Sequence, residues 1–146
     1  MFHPGAQRAA TITTVVVGGT FGAACREGVT WAVPDLDQLP VATPAVNVVG
    51  AFLLGYLYVA VTHRLPGDPR GARLRLLLGT GFCGGFTTYS SLATDTVVLL
   101  DGSRTDLATI YVLTTLLLGA VATFAGIVVA SRAHARIQPG QEETQR

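Results

Sequence analysis

Residues 79–96 read GTGFCGGFTTYSSLATDT. Four glycines, Gly79, Gly81, Gly84 and Gly85, are followed by the hydroxyl side chains of Thr87, Thr88, Tyr89, Ser90 and Ser91. These residue types offer no nucleophile paired with a base, and the chemistry open to them is contact with ions. Glycine costs about 0.8–1.0 kcal/mol relative to alanine in a helix, so this stretch is a poor helix former. Where a helix breaks inside a membrane, freed carbonyls can bind a cation and freed amides favour an anion. The same glycines also suit close helix packing, because Gly81 and Gly85 form a small-xxx-small pair. Spacing alone leaves both readings open.

Other polar residues stand in apolar surroundings. Asn47 interrupts a charge-free run, either to hydrogen-bond a neighbouring helix or to line a pore as a donor. Tyr111, Thr114 and Thr115 punctuate a second such run, and Tyr111 and Thr115, four apart, share a helix face. Hydroxyls in membrane helices often bond their own backbone instead. Together the three stripes can line a narrow polar path. Asp95 reads as an interfacial or capping carboxylate. Arg26 lies at the far end of the first apolar run, where its head group can snorkel. Glu27 follows it, and adjacent residues do not face each other on a helix, so no ion pair is expected. His3, His63 and His134 fall in termini or loops without metal-ligand spacing and read as solvated. Cys25 and Cys83 read as small buried apolar residues. No catalytic residue is expected.

The elements that must position these groups follow from composition. The chain has 146 residues, 49% hydrophobic and only 13% charged, with mean hydropathy +0.47. A soluble domain carries about 25% charged residues, so this is an integral membrane protein of one domain. Four runs reach the roughly 20 residues that cross a bilayer: about 9–33, 41–62, 74–100 and 107–131, with a polar tail at 132–146. The first run has a basic residue before an apolar core, as a signal peptide does. Gly22, however, occupies the place where a lipoprotein-type cleavage site favours a bulky aliphatic residue, so the run is read as a span.

All ten basic residues are arginine. Four spans put Arg8, Arg64, Arg70, Arg73, Arg75, Arg132, Arg136 and Arg146 on one side and only Arg26 and Arg104 on the other. The positive-inside rule then makes both termini cytoplasmic, in the cell membrane. Without a basic tract or recognition motif, nucleic-acid binding has no support.

The motifs resemble a known family. GFCGGFTTYSS, residues 81–91, is similar to the GFCGG(L)TTFSTF signature of the CrcB/Fluc fluoride channels. GGTFGAACR, Gly18 to Arg26, resembles their first-span GG-x-x-G-x-x-x-R, and PAVNVVGAFLLG, Pro44 to Gly55, their N-x-x-G-x-F-x-x-G. The fourth span, from Tyr111, fits more loosely. The resemblance implies an all-α membrane protein of four transmembrane helices, the third broken near mid-membrane. It further implies an antiparallel dimer with two narrow pores along its interface. Gly84 and Thr87 would offer backbone carbonyls to a structural sodium ion, the glycines breaking the helix to that end. Asn47, Tyr111 and Thr115 would line the pore, with Thr88 and Ser90 nearby, and Arg26 matches the arginine of the first-span motif.

Two departures stand out. Where the family has two pore phenylalanines, this chain has Tyr89 and Leu92. An aromatic edge is positive and meets a small anion; Tyr89 keeps it and Leu92 does not. Glu27 replaces an aromatic residue, for which we have no account. The arginine bias points the same way, since a subunit that inserts both ways should carry little. A heterodimer with a related, inverted subunit is favoured over a homodimer. The expected function is passive export of fluoride from the cytoplasm by a channel subunit in contact with lipid. The competing expectations are a non-conducting assembly subunit and a small antiparallel multidrug exporter. The exporter would need a mid-membrane carboxylate, for which Glu27 comes too late.

Overall fold

The structure, a computed structural model, describes residues 4–36 and 39–135. His3, Asp37 and the tail from Arg136 to Arg146 lie outside the described residues. Every regular element among those described is helical: α1 (Pro4–Ala32), α2 (Ala42–Arg64), α3 (Pro69–Leu74), α4 (Gly84–Phe86), α5 (Tyr89–Asp101) and α6 (Thr105–Ala135). A π-helical stretch (Arg75–Cys83) joins α3 to α4 without a gap. Each of the four apolar runs is therefore helical, and the third is in pieces.

The starts of these pieces follow from local chemistry. Asp68 caps α3 by accepting the Arg70 N–H at 2.7 Å, with Pro69 at the first helical position, where its missing N–H loses nothing. Thr88 caps α5 by accepting the Ser91 N–H at 3.1 Å. In α6, Asp106 lies in the first turn and Arg132 and His134 in the last, matching the helix dipole at both ends.

Two helix pairs carry the packing: α1 along the π-helical stretch, and α2 along α6. Small residues let the backbones approach. A Cβ on Gly18 would collide with the Leu77 carbonyl, one on Gly22 with that of Phe82, and one on Gly85 with that of Gly19. The second pair repeats the device: Gly55 lies against the Thr123 carbonyl and Gly126 against that of Phe52. Without a hydrophobic drive between helices in lipid, such close van der Waals contact is what holds them.

Gly81 and Gly85 therefore serve packing, and the expectation that the glycines themselves break the helix is corrected. Gly84 has φ −65° and ψ −34°, ordinary helical values. The break falls just beyond, at Thr87 (φ −81°, ψ 157°) and Thr88 (φ −148°, ψ 118°). Both are extended conformations that suit β-branched residues and need no glycine.

α2 and α6 are long and apolar enough to cross a membrane, with hydropathy 1.8 and 2.3 over their most apolar stretches, of which only 22% and 11% is buried. Ile12, Val16 and Phe21 of α1, Val97 and Val98 of α5, and Leu113, Leu117 and Phe124 of α6 likewise point outward. Water would not tolerate so much exposed apolar surface; hydrocarbon or a partner subunit does. This is an all-α membrane protein.

Three smaller expectations are corrected. Cys83 is buried but Cys25 is exposed. Arg26 Nη2 and Glu27 Oε1 approach to 3.6 Å, because these long side chains bend toward each other although their Cβ atoms diverge. His63 and His134 lie in the last turns of α2 and α6, not in loops, and their rings stack with centroids 4.8 Å apart.

Candidate functional site: a polar recess at the helix break

The break is held open by α2. Asn47 Nδ2 donates to the Thr88 carbonyl at 3.0 Å, and Asn47 Oδ1 accepts the Thr88 N–H at 2.8 Å. One carboxamide thus satisfies both backbone groups of an extended residue, as a neighbouring strand would. Gly50, three residues along the same face, leaves room for the break: a Cβ there would strike Thr87 Cγ2.

This arrangement changes the carbonyls upstream. In a continuous helix the N–H of residue i+4 closes on the carbonyl of residue i. The Thr88 N–H goes to Asn47, so the Gly84 carbonyl lacks that donor. The Ser91 N–H goes to Thr88 Oγ1, so the Thr87 carbonyl lacks its own. Of the two carbonyls between them, that of Gly85 is treated differently: it accepts from Arg26 Nη1 at 3.1 Å. Arg26 is therefore drawn inward onto the broken helix instead of snorkelling outward. Cys83 O receives both the Thr87 N–H at 2.9 Å and the Thr87 hydroxyl at 2.8 Å. Gly84 itself is exposed, with nothing within 4 Å of where a Cβ would stand.

Beside the break lies an open recess of about 330 Å³, lined by Asn47, Thr87, Thr88, Tyr89, Leu92, Thr115, Leu116 and Gly119. Six of these are residues singled out from the sequence, drawn from α2, the break, α5 and α6. Tyr89 projects from it, 82% exposed, whereas Leu92 is 5% exposed and closes its floor. Ser90 is exposed and its Oγ lies 3.1 Å from Thr88 Oγ1.

The hydroxyl protons are not all free to meet an ion. Thr115 donates to the Tyr111 carbonyl at 2.7 Å. Tyr111 does not line the recess; its hydroxyl lies 2.8 Å from Asp95 Oδ2 and 3.0 Å from the Pro40 carbonyl, with one proton to serve both. Among the lining residues, Asn47 keeps a second N–H beyond its bond to Thr88, and Tyr89 stands exposed with its ring and hydroxyl; the Ser90 hydroxyl lies just outside, against Thr88.

Several participants were not singled out from the sequence. Gly50 had a signal, its i+3 spacing from Asn47 on one helix face. Gly119 and Leu116 had none. The Asp95–Tyr111–Pro40 contact joins residues far apart in the chain, which spacing alone does not bring together.

A membrane helix broken in mid-course, with the polar side chains of three helices gathered in a recess beside the break, is the architecture of an all-α membrane protein with a polar site. The sequence profile described as CrcB-like protein, Camphor Resistance (CrcB), matches residues 13–127. Among curated proteins, the chain is 40% identical over 117 residues to the Fluoride-specific ion channel FluC 2 of Leifsonia xyli subsp. xyli, covering 80% of this chain and 81% of that protein. It is 36% identical over 126 residues to the Fluoride-specific ion channel FluC 1 of Mycobacterium tuberculosis, covering 86% and 93%. It is 39% identical over 118 residues to the Fluoride-specific ion channel FluC of Ignicoccus hospitalis, covering 81% and 93%. The chain belongs to the CrcB family.

Proposed function

We propose that this chain is a fluoride channel subunit, a four-span protein of the cell membrane with both termini in the cytoplasm, that lets fluoride leave the cell passively. The observation that carries the reading is the recess itself, where Asn47, Thr88, Tyr89, Leu92 and Thr115 meet at the break. Relatives named as fluoride-specific channels support it. Hydrogen fluoride enters as a neutral acid and ionises inside, where the anion is trapped. The membrane potential, worth about 2.3 kcal/mol per charge per 100 mV, then drives fluoride out without ATP or a proton partner.

Fluoride is small and holds water tightly, so a pore must offer donors in place of that water. Asn47 offers its second N–H, Ser90 a hydroxyl, and Tyr89 a positive ring edge. Thr115 and Tyr111 continue the polar track along α6 toward the Pro40 end of the bundle. Asn47 has a further task, because the same carboxamide fixes the Thr88 backbone against which an ion would pass.

A structural sodium ion fits the residues at the break. Gly84 and Thr87 are the positions whose carbonyls lose their i+4 donors, and hard oxygen ligands suit such a cation. Bound there, it would supply positive charge next to an anion path. Gly84 is open on its outer side, so a second subunit in inverted orientation can bring its own carbonyls to the same centre. That subunit is a related chain in preference to a second copy.

A second reading, a non-conducting assembly subunit, draws on Leu92, which is packed inward and has no ring. Fluoride efflux from liposomes that hold this chain together with its related, inverted subunit, read by electrode with chloride as control, separates the two. Loss of efflux in Asn47→Ala or Tyr89→Ala, with assembly intact by gel filtration, is the outcome expected of a pore. Unchanged efflux with intact assembly would establish the scaffold instead.

A further inference from the structure

α2 and α6 run parallel and in register along their whole contact. At one end the Tyr111 hydroxyl reaches the Pro40 carbonyl, 71 residues away in sequence. In the middle Gly55 meets Thr123 and Gly126 meets Phe52, backbone to backbone. At the other end His63 stacks on His134, their centroids 4.8 Å apart and their planes 29° apart, with the same 71-residue offset. The meeting of the two imidazoles is therefore set by helix register close to a tight backbone crossing. It does not depend on two long side chains finding each other.

Imidazole nitrogen is the common protein ligand for zinc, nickel and copper. Zinc–nitrogen bonds are about 2.0–2.1 Å, which puts two nitrogens on one ion roughly 3 Å apart. Two rings bound to one ion through such nitrogens have centroids roughly 4–5 Å apart, which is the separation observed here; what the site requires is that the stacked rings turn about their side-chain bonds. Both rings also sit in the last turns of their helices, where the carbonyl ends of the dipoles favour a cation. Arg64 and Arg132 are near in sequence and oppose it, but both are solvent-exposed and their repulsion is screened by salt. Among the described residues no group of three His, Cys, Asp or Glu assembles. Water would complete the coordination sphere.

We propose that His63 and His134 form a two-imidazole site for a divalent transition-metal ion of the zinc, nickel or copper kind, joining the ends of α2 and α6. The site is separate from the recess at the break and independent of the channel reading. The test is calorimetric titration of the untagged, full-length protein in detergent micelles with NiCl2 and with ZnCl2, together with electron paramagnetic resonance of the Cu2+ form. One ion per chain is expected, with two nitrogens coupled to copper. His63→Ala and His134→Ala should each weaken binding by about tenfold or more. His3→Ala, which removes the remaining histidine of the chain, should leave it unchanged. Saturating zinc should raise the unfolding temperature of the parent protein and not of the two single variants. The proposal is overturned by the absence of saturable binding in the parent protein, by binding that survives both substitutions, or by binding that follows His3. If either alanine variant fails to fold, the copper spectrum of the parent protein decides: a spectrum without two coupled nitrogens rules the site out.

Discussion

At the scale of single residues, Asn47 joins the backbone of the break to the face of the recess. Replacing it with aspartate keeps the acceptor for the Thr88 N–H but removes the donor to the Thr88 carbonyl, and it adds a negative charge beside an anion path. Leaving that carbonyl without its partner costs about 1–3 kcal/mol, too little to unfold a packed bundle. Asn47→Asp is expected to assemble normally and lose fluoride efflux by an order of magnitude or more, as read by electrode from liposomes that also hold the related subunit. Leu92 makes the converse case. It lines the recess but is almost fully covered by its own chain. Leu92→Phe should raise the fluoride-to-chloride flux ratio by supplying the missing ring edge. The larger side chain should also lower stability by about 1–3 kcal/mol through overpacking, seen as a lower unfolding temperature in detergent. A ratio that stays put while stability falls would mean that Leu92 packs and does nothing more.

At the scale of elements, the two readings of the glycine-rich stretch turn out to describe neighbouring residues. Gly81 and Gly85 pack against α1, and the break follows at Thr87 and Thr88. Sequence spacing revealed the small-xxx-small pair and the poor helix propensity. It gave no means of seeing that the helix ends because an asparagine forty-one residues away captures the Thr88 amide. The four helical runs were legible because each satisfies one local requirement, enough apolar residues to cross a bilayer. The recess was legible in part, since Asn47, Thr88, Tyr89 and Leu92 are recognisable from motifs and Thr115 from its i+4 spacing to Tyr111. The partners of Arg26 and Tyr111 were hidden, because each contact joins separate helices. Adjacent glycines give a test at this scale. Alanine at Gly85 would collide with the Gly19 carbonyl, whereas alanine at Gly84 meets nothing within 4 Å. Gly85→Ala is expected to lower the unfolding temperature sharply or abolish expression. Gly84→Ala should keep the fold of the single chain, read by circular dichroism, and weaken assembly, read by gel filtration, if a second subunit covers that face.

The whole molecule is charged asymmetrically. Arg8, Arg64, Arg70, Arg73, Arg75 and Arg132 are all exposed, at the end where α1 begins, α2 and α6 finish and α3 starts. Among the described arginines, Arg26 and Arg104 stand toward the opposite end, both half-buried, and Arg26 is turned onto the Gly85 carbonyl. Basic residues near span ends set orientation, so the expected outcome of this distribution is a single topology. A terminal cysteine label added to an otherwise cysteine-free variant should be blocked by a membrane-impermeant reagent only after the cells are opened. Labelling from both sides would show dual insertion and end the argument. If the topology is single, a partner of inverted orientation must be a different chain. Purified alone in liposomes, this chain should then be silent to the fluoride electrode, and a related subunit of opposite arginine bias should restore efflux. Efflux from the chain alone would show that it pairs with its own copy despite the bias.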